Sequence, residues 1–217
     1  YEYPVPQELN AKGGLLYGIE KTDEERYQNL DLVPFGELVD ITLKKDGSSI
    51  SFYCKINEDK TISTGVFGRT LEYKLECVNN YTRTEQKYNV LAKLKDFCVK
   101  NNVSLCLRGE MTGNGIQKSK INPDCSGELK LWLFSTWLID GHCYARRSHQ
   151  YYIHNLAKEL GLPTAPILES NIELASDLIH KYDEKLEKLN RDFFEGVVIQ
   201  GNNFSFKVIN KFYDSQK

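Results

Sequence analysis

Long apolar stretches are missing from this chain. No run of hydrophobic residues approaches the length of a membrane span, so these 217 residues hold no helical membrane crossing. Charge of one sign is not in surplus either. With 28 Lys and Arg against 30 Asp and Glu the formal net charge is −2, so no global basic field points to nucleic acid, and any polyanion site has to be a local patch. The six cysteines (Cys54, Cys77, Cys98, Cys106, Cys125, Cys143) include no pair with a two-residue spacer, which argues against a zinc knuckle or a thioredoxin-type motif. They read as reduced thiols of an intracellular compartment, cytoplasmic or nuclear. His142, His149, His154 and His180 show no ligand spacing and read as surface or core residues. Methionine is nearly absent. Met111 stands alone in a chain that begins at Tyr1, and the expectation is a single domain, 1–217, excised from something longer.

What is present is a substantial core. At 41% hydrophobic and 12% aromatic, the chain is long enough to bury one large domain. Apolar alternation marks strands at residues 39–43 and 49–56, where Ile50, Phe52, Cys54 and Ile56 share a face. Residues 61–64 look like the hairpin partner of the second strand. Val103, Leu105 and Leu107 begin another strand, residues 129–138 (LKLWLFSTWL) a fourth, and residues 194–200 and 204–210 form a closing pair. Helical spacing appears in residues 85–101 with an Asn-Asn stop, and in residues 151–160 with Gly161 as the stop. A polar segment at 22–30 reads as a candidate helix. Ser170 to Glu173 has capping-box spacing before a long amphipathic helix through Leu178, Tyr182, Leu186 and Leu189.

One short stretch stands out, Thr42-Leu43-Lys44-Lys45-Asp46-Gly47-Ser48-Ser49, in which a lysine, a spacer, an aspartate and a glycine separate two strands. Strands on both sides would hold the turn rigidly, as a reactive side chain requires. A free lysine amine has a pKa near 10.4 and is a poor nucleophile at neutral pH. Neighbouring cations or a bound metal would have to depress it. The alternative is a solvated hairpin tip, because Asp-Gly is a common turn dipeptide.

Further along, Arg69 follows two glycines, Gly65 and Gly68, where backbone could approach a ligand closely. Arg108-Gly109-Glu110-Met111-Thr112-Gly113-Asn114-Gly115-Ile116-Gln117 runs from a strand end into a glycine-spaced loop, placing Glu110 where it could face a sugar hydroxyl or metal-bound water. Trp132, Phe134 and Trp137 are core aromatics by default, one of which could stack on a purine. Glu195 heads an apolar strand and Lys207 lies within the next, and a charge in such a place normally needs a partner or a ligand.

In order along the chain, Lys44-x-Asp46-Gly47, Arg69, Arg108-Gly109-Glu110, Phe134, Glu195-Gly196-Val197-Val198 and Lys207 resemble the covalent nucleotidyltransferases: ATP-dependent DNA ligases, RNA ligases and mRNA capping enzymes. The run from Gly109 to Gln117 is most similar to RNA ligases of the phage RNA ligase two type and relatives with an N-terminal OB domain. The resemblance spans about residues 39–210. It implies an α/β (α+β) nucleotidyltransferase domain of ATP-grasp-like ligase type, with twisted, mainly antiparallel sheets flanked by helices. It also implies a monomeric ATP-dependent RNA ligase that seals 3′-hydroxyl and 5′-phosphate ends in RNA or a nicked RNA-containing duplex, away from membranes. Lys44 would take AMP from ATP, with Lys207 and Glu195 as catalytic partners. Leu43, Asp46, Gly47, Arg69 (ribose), Glu110, Phe134 (adenine, with Trp132 as alternative) and Val197 would form the nucleotide site. Asp46, Glu110 and Glu195 would hold Mg²⁺ or Mn²⁺ or its waters, and Glu110 could serve the ribose instead. Two departures stand out. Ile209 occupies the place of a second lysine, with Lys211 the nearest substitute, and Thr42 stands where a glutamate often reads the adenine amino group. A capping guanylyltransferase, a DNA ligase and a nucleic-acid-binding module are the rivals.

Overall fold

The computed structural model describes residues 10–20, 23–117, 122–184, 195–210 and 213. Its strands are β1 (Ala11–Gly13), β2 (Glu25–Arg26), β3 (Leu38–Lys44), β4 (Ser48–Ile56), β5 (Ile62–Phe67), β6 (Glu72–Tyr73), β7 (Leu105–Thr112), β8 (Lys130–Leu138), β9 (Cys143–Tyr144), β10 (Ile167–Glu173), β11 (Gly196–Gln200) and β12 (Ser205–Ile209). The helices are α1 (Asn80–Tyr88), α2 (Val90–Asn101), α3 (Ile153–Leu160) and α4 (Ser176–Glu184). None is long and apolar enough to cross a membrane.

Strand alternation sorts these elements into two sheets with one cleft between them. The seven-stranded sheet runs β1-β6-β5-β4-β7-β8-β9 and the five-stranded sheet β10-β3-β11-β12-β2. Apart from the parallel β12–β2 pair, the named strands pair antiparallel. In the larger sheet Ile50, Phe52, Cys54, Leu105 and Leu107 pack against Leu91, Leu94 and Phe97 of α2 and Ile153 and Leu156 of α3. Their strand neighbours face the other way, where Tyr53, Cys106 and Trp137 close a small cluster with Ile19 and Phe67. In the smaller sheet Val39, Ile41, Val197, Ile199, Phe206 and Val208 pack with Ile179 and Tyr182 of α4. A period of two therefore turns Asp40, Thr42, Lys44, Val198, Gln200 and Lys207 to the opposite face. Register aligns them, because Thr42 is paired with Val198 and Val198 with Lys207.

The sheets are tied together at the Asp40 and Gln200 end, where those two residues are cross-strand partners. Gln200 Nε2 donates to the Phe134 carbonyl of β8 at 3.1 Å. Buried Asp40 accepts from Arg147 Nε at 3.2 Å, Tyr152 Oη at 3.1 Å, Ser170 Oγ at 2.7 Å and the Asn171 N–H at 2.9 Å.

Three local expectations are revised, two of them by tertiary pairing. Residues 23–30 form β2 and one 3-10 turn, Tyr27–Asn29, rather than a helix, because Glu25 and Arg26 pair with Phe206 and Lys207. Ser170 to Glu173 belong to β10 on the edge of β3, and Ser170 and Asn171 serve Asp40 rather than a helix start. The helix begins at Ser176. Leu186 and Leu189, like Lys211, lie outside the described residues. The helical run 85–101 is broken at Asn89, left-handed at φ 52°, and the Glu85 carboxylate accepts the N–H groups of Val90 and Leu91 at 3.1 Å to start α2 anew. The Asn102 stop and the Gly161 stop both hold, each in the left-handed conformation.

Candidate active site

The Lys44 turn is not a hairpin tip. Lys44 ends β3 in one sheet and Ser48 opens β4 in the other, so residues 45–47 carry the chain across the cleft. Tight packing on the far side explains Gly47. A Cβ there would lie 2.0 Å from the Met111 carbonyl oxygen of β7, a contact no side chain can make. Gly196 answers a similar demand. Its φ is +158°, and a Cβ on it would stand 2.2 Å from the Val208 carbonyl oxygen, so no other residue fits where β11 begins.

Beside this crossing lies a cavity of about 400 Å³, within the roughly 300–1,000 Å³ of small-molecule sites. Its walls include Leu43, Lys44, Gly47, Arg69, Glu110, Phe134 and its alternative Trp132 from the sequence expectation, and also Asp23, Thr42, Lys45, Arg108 and Tyr144. Asp46, Glu195, Val197 and Lys207 are not among its lining residues. Glu195 nevertheless reaches it through Lys44, whose Nζ donates to Glu195 Oε2 at 2.7 Å. Lys207 reaches it through Asp23, bonded at 3.2 Å. The Asp46 carboxylate accepts from Asn122 Nδ2 at 3.2 Å and from the Tyr213 hydroxyl, off the cavity wall. Val197 is wholly buried in the smaller sheet's core, and its neighbour Val198 takes the wall position. The Gly196-Val197-Val198-Ile199 run is apolar throughout, so no local signal told the two faces apart.

The electrostatics centre on Glu110. Loss of water pushes its carboxyl up to about 8, with Glu195 and Asp46 adding to the push, while Lys44 and the Gly47 N–H pull the other way. Asp23 sits between two cations, 3.2 Å from Lys207 Nζ and 3.7 Å from Arg69 Nη2. Burial works against its charge, but the Lys207 hydrogen bond and the two positive charges hold it below the usual carboxylate range. Arg108 is buried. Its guanidinium lies 5.5 Å from the Trp137 ring and 5.8 Å from that of Tyr144, and it donates to the Glu20 carbonyl. Neither Asp23 nor Arg108 was assigned a role from sequence. Asp23 sits in a polar lead-in with no pattern, whereas Arg108, two residues before Glu110 on a strand, shares its face and could have been noticed.

The donor set suits a hard divalent cation in part. Among the described residues no three His, Cys, Asp or Glu side chains converge as a ready cage. Magnesium, however, keeps much of its water and takes one or two carboxylates. Glu110 and Glu195 offer such oxygens, and a cation there would offset both the loss of water that chiefly raises Glu110 and the smaller repulsion from Glu195.

A cleft between two mainly antiparallel sheets, edged by a lysine that ends one strand just before the chain crosses to the next, is the arrangement of the covalent nucleotidyltransferase superfamily. The chain belongs to the RNA ligase family, whose model matches residues 37–211. Among solved structures it is similar to Naegleria gruberi RNA ligase. A variant of that protein with ATP and Mn shares 26% identity at a TM-score of 0.75, covering 95% of this chain and 60% of that one. Another with AMP and Mn shares 26% at 0.74, covering 96% and 61%. The form with PPi shares 27% at 0.73, covering 100% and 64%. This chain thus spans about three fifths of the length of those structures. No curated protein matches it.

Proposed function

We propose that the domain is the adenylyltransferase part of an ATP-dependent RNA ligase. Lys44 Nζ attacks the α-phosphorus of ATP, a nitrogen–phosphorus bond forms as the α–β phosphoanhydride bond breaks, and pyrophosphate leaves. The AMP then passes to a 5′-phosphate end, and a 3′-hydroxyl displaces it to seal a nick in RNA or an RNA-containing duplex. The observation that carries this reading is the position of Lys44, at the edge of the cavity and ion-paired to Glu195 at 2.7 Å, in a chain of this family.

Phosphoryl transfer is chiefly positioning and charge neutralisation, which assigns the remaining groups. Arg69 and Lys207 meet the nucleotide's ribose and α-phosphate once Asp23 releases them. Phe134 offers a ring for the purine, worth about 1–3 kcal/mol, and Trp132, hydrogen-bonded to Thr112 Oγ1 at 2.9 Å, is held beside it. Leu43, Gly47 and Val198 shape the walls. A Mg²⁺ or Mn²⁺ ion held through Glu110 and Glu195 would neutralise phosphate charge. Lys44 has to leave its pair with Glu195 to present a free amine. Asp46, held by Asn122 and Tyr213, shapes the turn. No part of this scheme calls for a second copy of the chain.

The test is incubation with α-labelled ATP or α-labelled GTP and Mg²⁺, reading label that stays on the protein through denaturing electrophoresis and is stable to alkali but released by acid, as a nitrogen–phosphorus bond requires. ATP label that vanishes in Lys44→Met supports the proposal. Labelling by GTP instead would identify a capping-type guanylyltransferase, and no label from either would leave a binding module. Joining assays on all-RNA, all-DNA and mixed nicks then define the strand.

A further inference from the structure

The turn that presents Lys44 is gripped from the far side by the loop between β7 and β8. A 3-10 turn there, Pro123–Cys125, starts at Asn122, whose side-chain oxygen accepts the Asp124 N–H at 2.9 Å. The Asp124 carbonyl accepts from the Gly113 N–H at 2.8 Å, at the end of β7. With its main chain fixed at both ends, Asp124 divides its carboxylate between the two residues that follow Lys44. Oδ1 accepts from Lys45 Nζ at 2.9 Å and Oδ2 from the Asp46 N–H at 3.2 Å. This pair is shielded, the Lys45 and Asp124 side chains being 13% and 16% exposed. Lys45 Nζ also lies 4.7 Å from the centre of the Trp132 ring, and both residues line the cavity.

We propose that Asp124 is a positioning residue for the transfer to Lys44. Holding a side chain and an N–H of consecutive residues fixes the main chain just after the nucleophile, and with it the direction in which the amine enters the cavity. The same bond draws the Lys45 cation onto Trp132, leaving the phosphate path to the groups assigned above. Misdirection by about 1 Å costs a reacting pair on the order of a hundredfold in rate, so a loosened turn should be felt in the chemical step before it is felt in nucleotide binding. The inference rests on the lysyl-AMP reading.

The experiment is single-turnover labelling of the full chain with α-labelled ATP over a range of ATP concentrations, in the wild type, Asp124→Ala, Asp124→Asn and Asp124→Glu. An unlabelled wild type defeats the parent reading and this inference with it. With a labelled wild type, Asp124→Ala should lower the maximal rate constant about ten- to a hundredfold. Its half-saturating ATP should stay within about twofold of wild type, and Asp124→Glu should recover part of the rate. An unchanged maximal rate in Ala and Asn, or a loss that lies wholly in half-saturation, overturns the proposal. If circular dichroism shows Asp124→Ala unfolded, the isosteric Asn variant decides by the same criteria.

Discussion

Lys44 Nζ and Glu195 Oε2 are 2.7 Å apart, although 151 residues separate them in the chain. The pairing brings the head of β11 to the end of β3, since Gly196 and Lys44 are register partners. Replacing Lys44 by Ala or Met should abolish AMP labelling, because the other amine on that turn, Lys45 Nζ, is held by Asp124 at 2.9 Å. Glu195→Ala should reduce it nearly to background while leaving the protein folded. Gel autoradiography after α-labelled ATP measures both, and near-normal labelling of Glu195→Ala would remove that residue from the chemistry.

Asp23 occupies, with one oxygen each, the two cations assigned to the nucleotide. Its side chain is 62% exposed, and an exposed ion pair is worth only about 0.2–1 kcal/mol. Asp23→Asn, which breaks two such pairs, should therefore lower half-saturating ATP by no more than about thirtyfold. A nucleotide titration followed by tryptophan fluorescence reads it. Weaker nucleotide binding in this variant would mean that Asp23 assists the nucleotide and does not compete with it.

Gly47→Ala should be costly for stability and for labelling together. The added carbon meets main chain, not a movable side chain, 2.0 Å from the Met111 carbonyl, so β4 and β7 must shift. Overpacking of this kind costs about 1–3 kcal/mol, or several degrees in melting temperature for a chain of this size. Differential scanning calorimetry gives the number.

Asp40 makes stability depend on acid. Burial alone would raise its pKa, but the bonds from Ser170, the Asn171 N–H and Arg147 outweigh this and lower it below 3.8. A carboxyl lowered in the folded state binds fewer protons folded than unfolded. Its contribution is complete above about pH 4 and disappears as pH falls through the folded value. Thermal unfolding between pH 2 and 7 should show the wild type losing this increment at the acid end and Asp40→Asn lacking it. At pH 7 the variant should be less stable by about 3 kcal/mol, since Arg147 loses its counter-charge. Parallel curves for the two proteins would show that Asp40 contributes nothing through its charge.

Much of this was legible in the chain. The alternation at Ile50, Phe52 and Cys54 gave β4 its buried face, and the helical spacings around Leu94 and Leu156 gave the two helices behind it. Gly161 and Asn102 stopped those helices where left-handed residues are needed. The failures have two causes, one long-range and one local. Ser170 and Asn171 suit a helix start, yet a buried carboxylate on a neighbouring strand claims them. Glu85 looks like an ordinary helical residue until the break at Asn89 gives its carboxylate two N–H groups to accept.

By itself the amino-acid order determined which reactive groups are available and how they are spaced: the lysine before Asp46 and Gly47, the arginine at 69, the glutamates at 110 and 195, the ring at 134. Only the tertiary structure decided that residues 45–47 bridge two sheets, that Val198 and not Val197 faces the cavity, and that Asp23 and Asp124 lie against groups far along the chain. Short-range pattern depends on one strand's period of two or one helix's period of 3.6. Which strands become neighbours, and in what register, is settled by burying both sheets' apolar faces at once, and no local window contains that condition.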